Sequence, residues 1–483
     1  MQFKAVLKVL GMLLTFFSFS MLVPVFVALY FHDTQLSPYI FAFLLTFVVG
    51  LALWLALGRH NVELKVRDGF LIVLLFWTVL SAFSSLPFLL ALHHHFTFTD
   101  ALFESVSGFT TTGMSAIDNL DRLPPALLYY RQQLQFLGGM GIIVLAVAIL
   151  PLLGVGGMQL YKAETPGPMK DEKLTPRIAE TAKAVWFIYV GLVVLCALSF
   201  WAAGMPVFDA VEEAFATIST GGFSTHNSSF AYYHSSLIDL IAVFYMFLGG
   251  VNFSLHYLAA AGVSLKAYWR DVEFRYYVWI LFFVCLIVTS LLAFYQVYHD
   301  VWKDFVEALF NIVSIATTTG FVAGAYTQWP LFIPFLLMLI GLIGACGGST
   351  SGGFKILRVV IIKSQVTREL RRLIHPQAIY PIRLGRRILS DNILEAVWAF
   401  AAAYFGIFIL GIILVMSTGV DLESAFGACA SALGNIGAGI GKYAYSLAAI
   451  NTFSKWVLII LMLAGRLEVF TLIIIFSRTF WKR

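Results

Sequence analysis

DALFESVSGFTTTG at residues 100–113 and EALFNIVSIATTTG at residues 307–320 share nine of fourteen positions across a separation of 207 residues. A weaker copy, DAVEEAFATISTGG, lies at 209–222, and a fourth, SAFGACASALGNIG, at 424–437. Each is a short apolar helix-like run that ends in small polar residues and a glycine: Gly113, Gly222, Gly320 and Gly437. The glycines are 109, 98 and 117 residues apart, so the repeat unit has a nearly constant length. Each segment sits between two long hydrophobic stretches. That is the layout of a pore loop, and four of them in one chain predict a ring around one axis. An ion filter needs such a ring, because oxygens must replace the water shell of the ion from all sides.

The composition places those segments in a membrane. Hydrophobic residues make up 60% of the 483 and charged residues 12%, with a mean hydropathy of +0.88. A soluble domain carries roughly twice that charged fraction. Ten spans are expected, near 9–31, 38–58, 69–91, 127–152, 185–203, 236–261, 277–297, 331–365 (interrupted), 394–418 and 456–477. The four repeat segments are too short to cross and read as re-entrant. The expected fold is therefore an all-α integral membrane protein. It has four pseudo-symmetric units of span, pore helix and span around a central ion pore, plus two extra N-terminal helices. The units fall at 61–160, 161–265, 266–375 and 376–483, after a two-helix region at 1–60.

Charge sets the orientation. Of 31 Lys and Arg, 25 lie at the N-terminus, in the segments 59–67, 162–183, 266–275 and 355–387, or at the C-terminus. Five, Arg122, Arg131, Lys303, Lys442 and Lys455, are assigned to the other loops, and Arg466 lies inside the last span. The positive-inside rule puts the first set and both termini in the cytoplasm. That bias explains the pI near 8.9 without a nucleic-acid partner. Lys4 and Lys8 precede a retained first helix, since no small-x-small cleavage site follows before His32 and Asp33. Cys196, Cys285, Cys346 and Cys429 have no metal-ligand spacing, and the sequon at Asn227 reads as incidental. GGSTSGGFK at 347–355 and GNIGAGIGK at 434–442 both fail the phosphate-loop spacing.

Backbone carbonyls suit a partly dehydrated alkali cation, and glycine lets the chain turn them toward one. The candidate filter is Thr110-Thr111-Thr112-Gly113, Ser219-Thr220-Gly221-Gly222, Thr317-Thr318-Thr319-Gly320 and Gly434-Asn435-Ile436-Gly437. Each preceding helix directs its partly negative C-terminal end at the ion path. The fourth copy allows a one-residue slip in register. Acidic residues crowd the outer ends (Asp100, Glu104, Asp209, Glu212, Glu213, Asp304, Glu307, Asp421, Glu423), mostly as helix caps, and their sum favours cations over anions. The second span of each unit carries a glycine motif: FLGGMG at 136–141, FLGGVN at 247–252, LIGACGG at 342–348 and MLAGRLE at 462–468. In the third, Gly347-Gly348-Ser349-Thr350-Ser351-Gly352-Gly353 contains no apolar residue, so it must face protein or water and is a candidate gate. Arg466, expected near the middle of the last span, needs a cavity or a partner; Glu468, two residues on, faces another side of the helix. No enzyme is expected. His256 lies in a span without an evident catalytic partner, and His93, His94 and His95 sit at the outer boundary.

These features together resemble the Trk/Ktr/HKT potassium-transporter superfamily, and within it the TrkH/TrkG subfamily, over essentially the whole chain. The extra N-terminal pair separates it from the Ktr branch. The resemblance implies a bacterial inner-membrane potassium-uptake subunit that forms a homodimer, with one pore in each protomer. It implies a cytosolic regulatory ring of TrkA type that binds ATP/ADP or NAD and docks on the basic loops. It makes the four glycines filter glycines, residues 347–353 the gating loop and Arg466 the arginine beside it. Potassium is then the transported substrate, and no cofactor is held by this chain. Ser219 and Gly434 depart from the pattern of threonines. In the HKT branch a serine at the first filter glycine goes with sodium transport. An ion-coupled symporter is the alternative to a passive, channel-like pathway.

Overall fold

The computed structural model describes residues 2–57, 66–92, 96–141, 178–262, 264–330, 332–385, 387–467 and 469–481. The inner half of the fourth expected span (142–152), the basic stretch 162–177, His93–His95 and Glu468 lie outside the described residues. Helix is the rule. Among the described residues the only strand pairing is a short antiparallel pair, Arg383–Leu384 against Arg387–Ile388.

Two N-terminal helices precede the repeats. Helix α1 (Phe3–Ser18) runs through a 3-10 turn into α2 (Val23–Tyr30), and α3 (Ser37–Ala56) returns beside it. They cross at glycine. A Cβ on Gly11 would lie 2.7 Å from Leu53 Cβ, and one on Gly50 would lie 2.6 Å from Thr15 N. Lipid supplies no hydrophobic drive between helices, so close backbone approach at small residues holds such a pair.

Each repeat then supplies three parts. The first spans are α4 (Val66–Ala91), α7 (Ile178–Ala202), α12 (Val272–Phe294) and α16 (Asp391–Met416). All four are long and apolar enough to cross a bilayer, and they turn side chains such as Phe282, Phe283 and Ile409 outward. The pore helices are α5 (Phe98–Phe109), α8 (Val207–Ile218), α13 (Val301–Ala316) and α17 (Leu422–Gly434). Twelve to sixteen residues reach only about 18–24 Å. They are buried on nearly every side, which is why their sequences read as apolar with small and polar residues mixed in. The extents of α5 and α17 are fixed by side-chain caps: Thr97 with Asp100 in a capping box, and Asp421 accepting from Ser424 N.

The second spans differ from expectation. The stretches 236–261 and 456–477 were expected to be continuous, and both break. Helix α9 (Ser236–Gly249) meets α10 (Phe253–Gly262) at an angle of 94°, and the short α11 (Lys266–Arg270) follows. Helix α18 (Thr452–Arg466) stops before α19 (Phe470–Phe476), so Arg466 sits at a helix end and not in mid-span. Helix α6 (Pro125–Gly139) ends at the same motif in the first repeat. In the third, α14 (Phe332–Ile343) and α15 (Ile356–Ile374) flank the expected interruption. The cause is shared. The last-turn carbonyl of the pore helix occupies the place of a side chain on the second span. A Cβ on Gly138 would overlap Phe109 O, one on Gly465 would overlap Leu433 O, and one on Gly249 would lie 3.2 Å from Ile218 O. Phe109, Ile218 and Leu433 each stand four residues before their filter glycine. The glycine motifs are therefore packing sites, and the second spans turn where the filter ends.

The substitution Gly50→Leu should separate α1 from α3 and lower stability by about 1–3 kcal/mol. Thermal unfolding in detergent measures this, while cation flux per folded molecule is expected to stay at the wild-type value.

Candidate ion filter and gate

The four filter segments adopt one backbone. Thr111, Thr220, Thr318 and Asn435 are all left-handed, with φ of 53°, 51°, 57° and 52°. Two residues later Gly113, Gly222, Gly320 and Gly437 have φ of 85°, 76°, 83° and 87°. A left-handed β-branched residue is a backbone outlier, of order 1–3 kcal/mol each, and three recur at one position. This match also settles the register of the fourth copy. Asn435 aligns with the three threonines and no slip occurs.

The segments form a closed cycle. A Cβ on Gly113 would overlap the carbonyl oxygen of Gly221; one on Gly222, that of Thr319; one on Gly320, that of Ile436. A Cβ on Gly437 would press on Thr112 O, which returns the ring to its start. In every repeat the residue before the glycine places its carbonyl against the preceding repeat's glycine. The four glycines are half-buried, while the three residues before and the one after each are buried. Solvent thus reaches the same position in all four repeats.

Hydroxyls and amides brace the ring. Thr110 Oγ1 is 2.7 Å from Thr112 Oγ1, and Thr317 Oγ1 is 2.7 Å from Thr319 Oγ1. Asn435 Nδ2 donates to Thr112 Oγ1 (2.9 Å) and Met462 O (3.0 Å), which joins the fourth repeat to the first. Gln135, absent from the candidate residues, clamps the second segment: its Nε2 donates to Gly221 O (2.7 Å) and its Oε1 accepts from Phe223 N (3.1 Å). The signal for it was a polar run, Arg131-Gln132-Gln133 and Gln135, in a stretch expected to cross the membrane.

The outer face corrects two assignments. Arg131 belongs to α6 and is fully buried, not placed in a loop. Glu104, Glu212 and Glu213 are also fully buried and do not act as caps. Glu104, Glu213 and Asn311 each stand nine residues before a filter glycine and tie down the chain three residues after it. Ala116 N donates to Glu104 (2.9 Å), Thr225 N to Glu213 (3.0 Å), and Asn311 Nδ2 to Ala323 O (2.7 Å). Arg131 Nε pairs with Glu104 at 2.7 Å. Its Nη1 reaches Ser224 O at 3.3 Å and its guanidinium lies over the Phe223 ring, so it links repeats one and two. Lys455 and Asp100 close the seam between repeats four and one at 2.6 Å. The side chain of Asn227 accepts from Leu120 N at 2.9 Å and donates to Asp121 at 2.7 Å. His226 stands between Asp121 (3.1 Å) and Asp209 (3.4 Å), stacked on Tyr232. Burial alone would lower its pKa; the hydrogen bonds to Asp209 and Asp121 outweigh that and raise it above the ordinary histidine value.

Beneath the ring, the break in the third repeat touches the second, third and fourth units, and Arg466 links it to the first. Thr350 Oγ1 donates to Ile218 O (2.9 Å) and Gly249 O (3.1 Å) of the second repeat. Gly352 N donates to Thr318 Oγ1 of the third at 2.7 Å, and a Cβ on Gly352 would overlap Gly434 O of the fourth. Arg466 completes the set. Its Nη1 donates to Thr350 O (2.9 Å) and its Nη2 to Gly138 O of the first repeat (3.0 Å). Every expected filter and loop residue is therefore within one assembly. His256 is held by Tyr268 (2.8 Å) and Leu248 O (3.0 Å) and stands apart. Among the described residues no three His, Cys, Asp or Glu converge as metal ligands. What the centre offers is backbone carbonyl and hydroxyl oxygen, the ligand set of an alkali cation.

The model of the TrkH family, described as cation transport proteins, matches residues 37–483. The chain belongs to the TrkH family. The Trk system potassium uptake protein TrkH of Salmonella typhimurium is 49% identical over the full length of both chains. The Trk system potassium uptake protein TrkG of Escherichia coli is 38% identical over 99% of each. A crystal structure of the potassium transporter TrkH from Vibrio parahaemolyticus superimposes with a TM-score of 0.91 at 46% identity, covering all of both chains. As a TrkH-family member the chain is a multi-pass membrane transport protein and not an enzyme.

Two outcomes follow from the outer face. Arg131→Met leaves Glu104 buried without its cation and should cost about 3–5 kcal/mol in thermal unfolding. Adding Glu104→Gln should recover most of that loss. The raised pKa of His226 means that its ionic contribution is complete below about pH 6.5 and is lost as pH rises through the shifted value. The unfolding temperature should therefore fall as pH rises above about 6.5, and that slope should flatten in His226→Gln.

Proposed function

We propose that this chain is a bacterial potassium uptake protein that forms a K⁺-selective, gated, channel-like pathway. The observation that carries the reading is the closed ring of four positive-φ glycines, each solvent-reachable between buried neighbours. Thr110–Gly113, Ser219–Gly222, Thr317–Gly320 and Gly434–Gly437 are the filter, and K⁺ is the substrate it coordinates. Residues 347–353 with Arg466 are the gate: the loop contacts the second, third and fourth repeats beneath the filter, and Arg466 ties its crest to the first. A guanidinium on the inner side of a cation filter opposes passage electrostatically. The relatives named as potassium uptake proteins support the ion.

The units 61–160, 161–265, 266–375 and 376–483 are the four pore repeats and 1–60 the accessory pair. The protein resides in the bacterial inner membrane with both termini in the cytoplasm. It works as a homodimer with a TrkA-type cytosolic ring that binds ATP/ADP or NAD. Helix α15 suits docking of that ring, since Arg368, Arg371 and Arg372 share its end with exposed Leu370, Leu373 and Ile374.

Rubidium uptake into proteoliposomes, driven by a rubidium gradient alone, tests this reading. Uptake that competes with potassium and resists sodium is expected. Uptake that requires an imposed proton or sodium gradient would establish a symporter instead. The Gly113→Ser substitution puts a Cβ where Gly221 O lies, so the ring must open at one seam. It should reduce the rubidium-over-sodium preference by about ten-fold or more, a change of about 1.4 kcal/mol.

A further inference from the structure

The two ends of the break in the third repeat meet at one carboxylate. Glu273 is the second residue of α12 and is 7% exposed. Its Oε1 accepts from Gly347 N at 2.8 Å, where the chain enters the glycine stretch, and from Leu357 N at 3.0 Å, in the first turn of α15. Lys355, the N-cap residue of α15, has φ of 78° and makes no side-chain cap. Glu273 thus caps α15 from another helix while it holds the start of the loop. The entry is docked further on the bend of the second repeat: Cys346 N donates to Gly250 O (3.1 Å) and Phe253 N to Gly348 O (3.0 Å).

The crest and the base of the loop are held differently. At the crest, Thr350, Ser351 and Gly352 meet the filter segments through hydroxyl and amide groups, and Arg466 donates to Thr350 O. At the base, one carboxyl oxygen accepts two amide hydrogens at once, from the two ends of the loop. A crest that moves away from the filter must swing about its base, and the base stays closed while Gly347 and Leu357 share one oxygen.

We infer that Glu273 is a positioning residue of the gate: it latches the entry and exit of residues 347–357 together and keeps the loop beneath the filter. This rests on reading that loop as the gate. Loss of the carboxylate frees the base, so the open arrangement gains population without any change in the filter.

The full-length protein in proteoliposomes, with Cys196, Cys285 and Cys429 replaced by Ala, allows both parts to be read. Cys346 is 1% exposed and lies at the loop entry. Its rate of modification by N-ethylmaleimide reports opening of the base, and rubidium influx reports conduction. Glu273→Ala should raise both by about ten-fold or more, with the rubidium-over-sodium preference unchanged. Glu273→Gln, which keeps an acceptor oxygen, should rescue toward the wild-type values. If Glu273→Ala does not assemble, Glu273→Asp, which withdraws the carboxylate by one methylene, should show the same paired rise. Unchanged labelling with lower or unchanged influx overturns the latch and leaves the gate reading standing. Faster labelling with unchanged influx shows that the loop does not gate, and the inference falls with that reading.

Discussion

Each filter glycine lacks a side chain so that the carbonyl oxygen of the next repeat can sit where its Cβ would be. Four such contacts, Gly113 to Gly221, Gly222 to Thr319, Gly320 to Ile436 and Gly437 to Thr112, close the ring. The constraint is steric and therefore strict. A methyl group at any one of them pushes a carbonyl out of line and opens one seam of four. Much else serves these contacts: the pore helices bring the segments to the centre, and the second spans break at glycine so that the helix ends can approach. Glu104, Glu213 and Asn311 fix the chain just beyond the first three of these glycines.

The ring also carries strain, which the surrounding packing offsets. Thr111, Thr220 and Thr318 hold a left-handed conformation that a β-branched residue avoids in isolation. The conformation persists because the oxygens around it are already committed. Thr318 Oγ1 accepts from Gly352 N, and Thr220 Oγ1 donates to Ser219 O at 2.7 Å. Asn435, a residue type enriched in this conformation among those with a Cβ, takes the same place in the fourth repeat and uses its amide to reach Thr112 and Met462. The four segments are thus over-determined by their own hydrogen bonds.

Much of this was legible in sequence because repetition and hydropathy survive without coordinates. The four segments, their glycines, the interruption at 347–353 and the exception at Arg466 all depend on residue type and spacing. What was not legible depends on approach between distant segments. The breaks at Gly250–Asn252 and after Arg466 interrupt stretches whose hydropathy is continuous, and only the arriving pore-helix carbonyls explain them. Glu104 and Glu213 looked like outer-mouth charges because the sequence does not reveal that the chain folds back over them. Gln135 lies in a polar run and Glu273 in a charged segment just before the expected span 277–297, so neither stands out by residue type, and their partners lie 86 and 74 positions away. The register of the fourth segment needed the backbone angles, since Gly434-Asn435-Ile436-Gly437 aligns by composition in two ways.

On the proposed reading, selection and gating make opposite demands on symmetry, and a single chain with four unequal repeats can meet both. Coordination from all sides requires four equivalent backbones, and the φ angles agree within about ten degrees across repeats that share few side chains. A gate under such a ring needs one element that reaches every repeat, and four copies of it would collide on the axis. Only the third repeat carries the long interruption, only the fourth supplies the arginine that holds its crest, and only the first offers Gly138 O to that arginine. The asymmetric residues are thus distributed over different repeats and converge on one loop. A homotetramer could not encode this, because any residue added to one subunit appears in all four. On that reading, divergence within one chain lets the proposed filter stay four-fold while its closure is single.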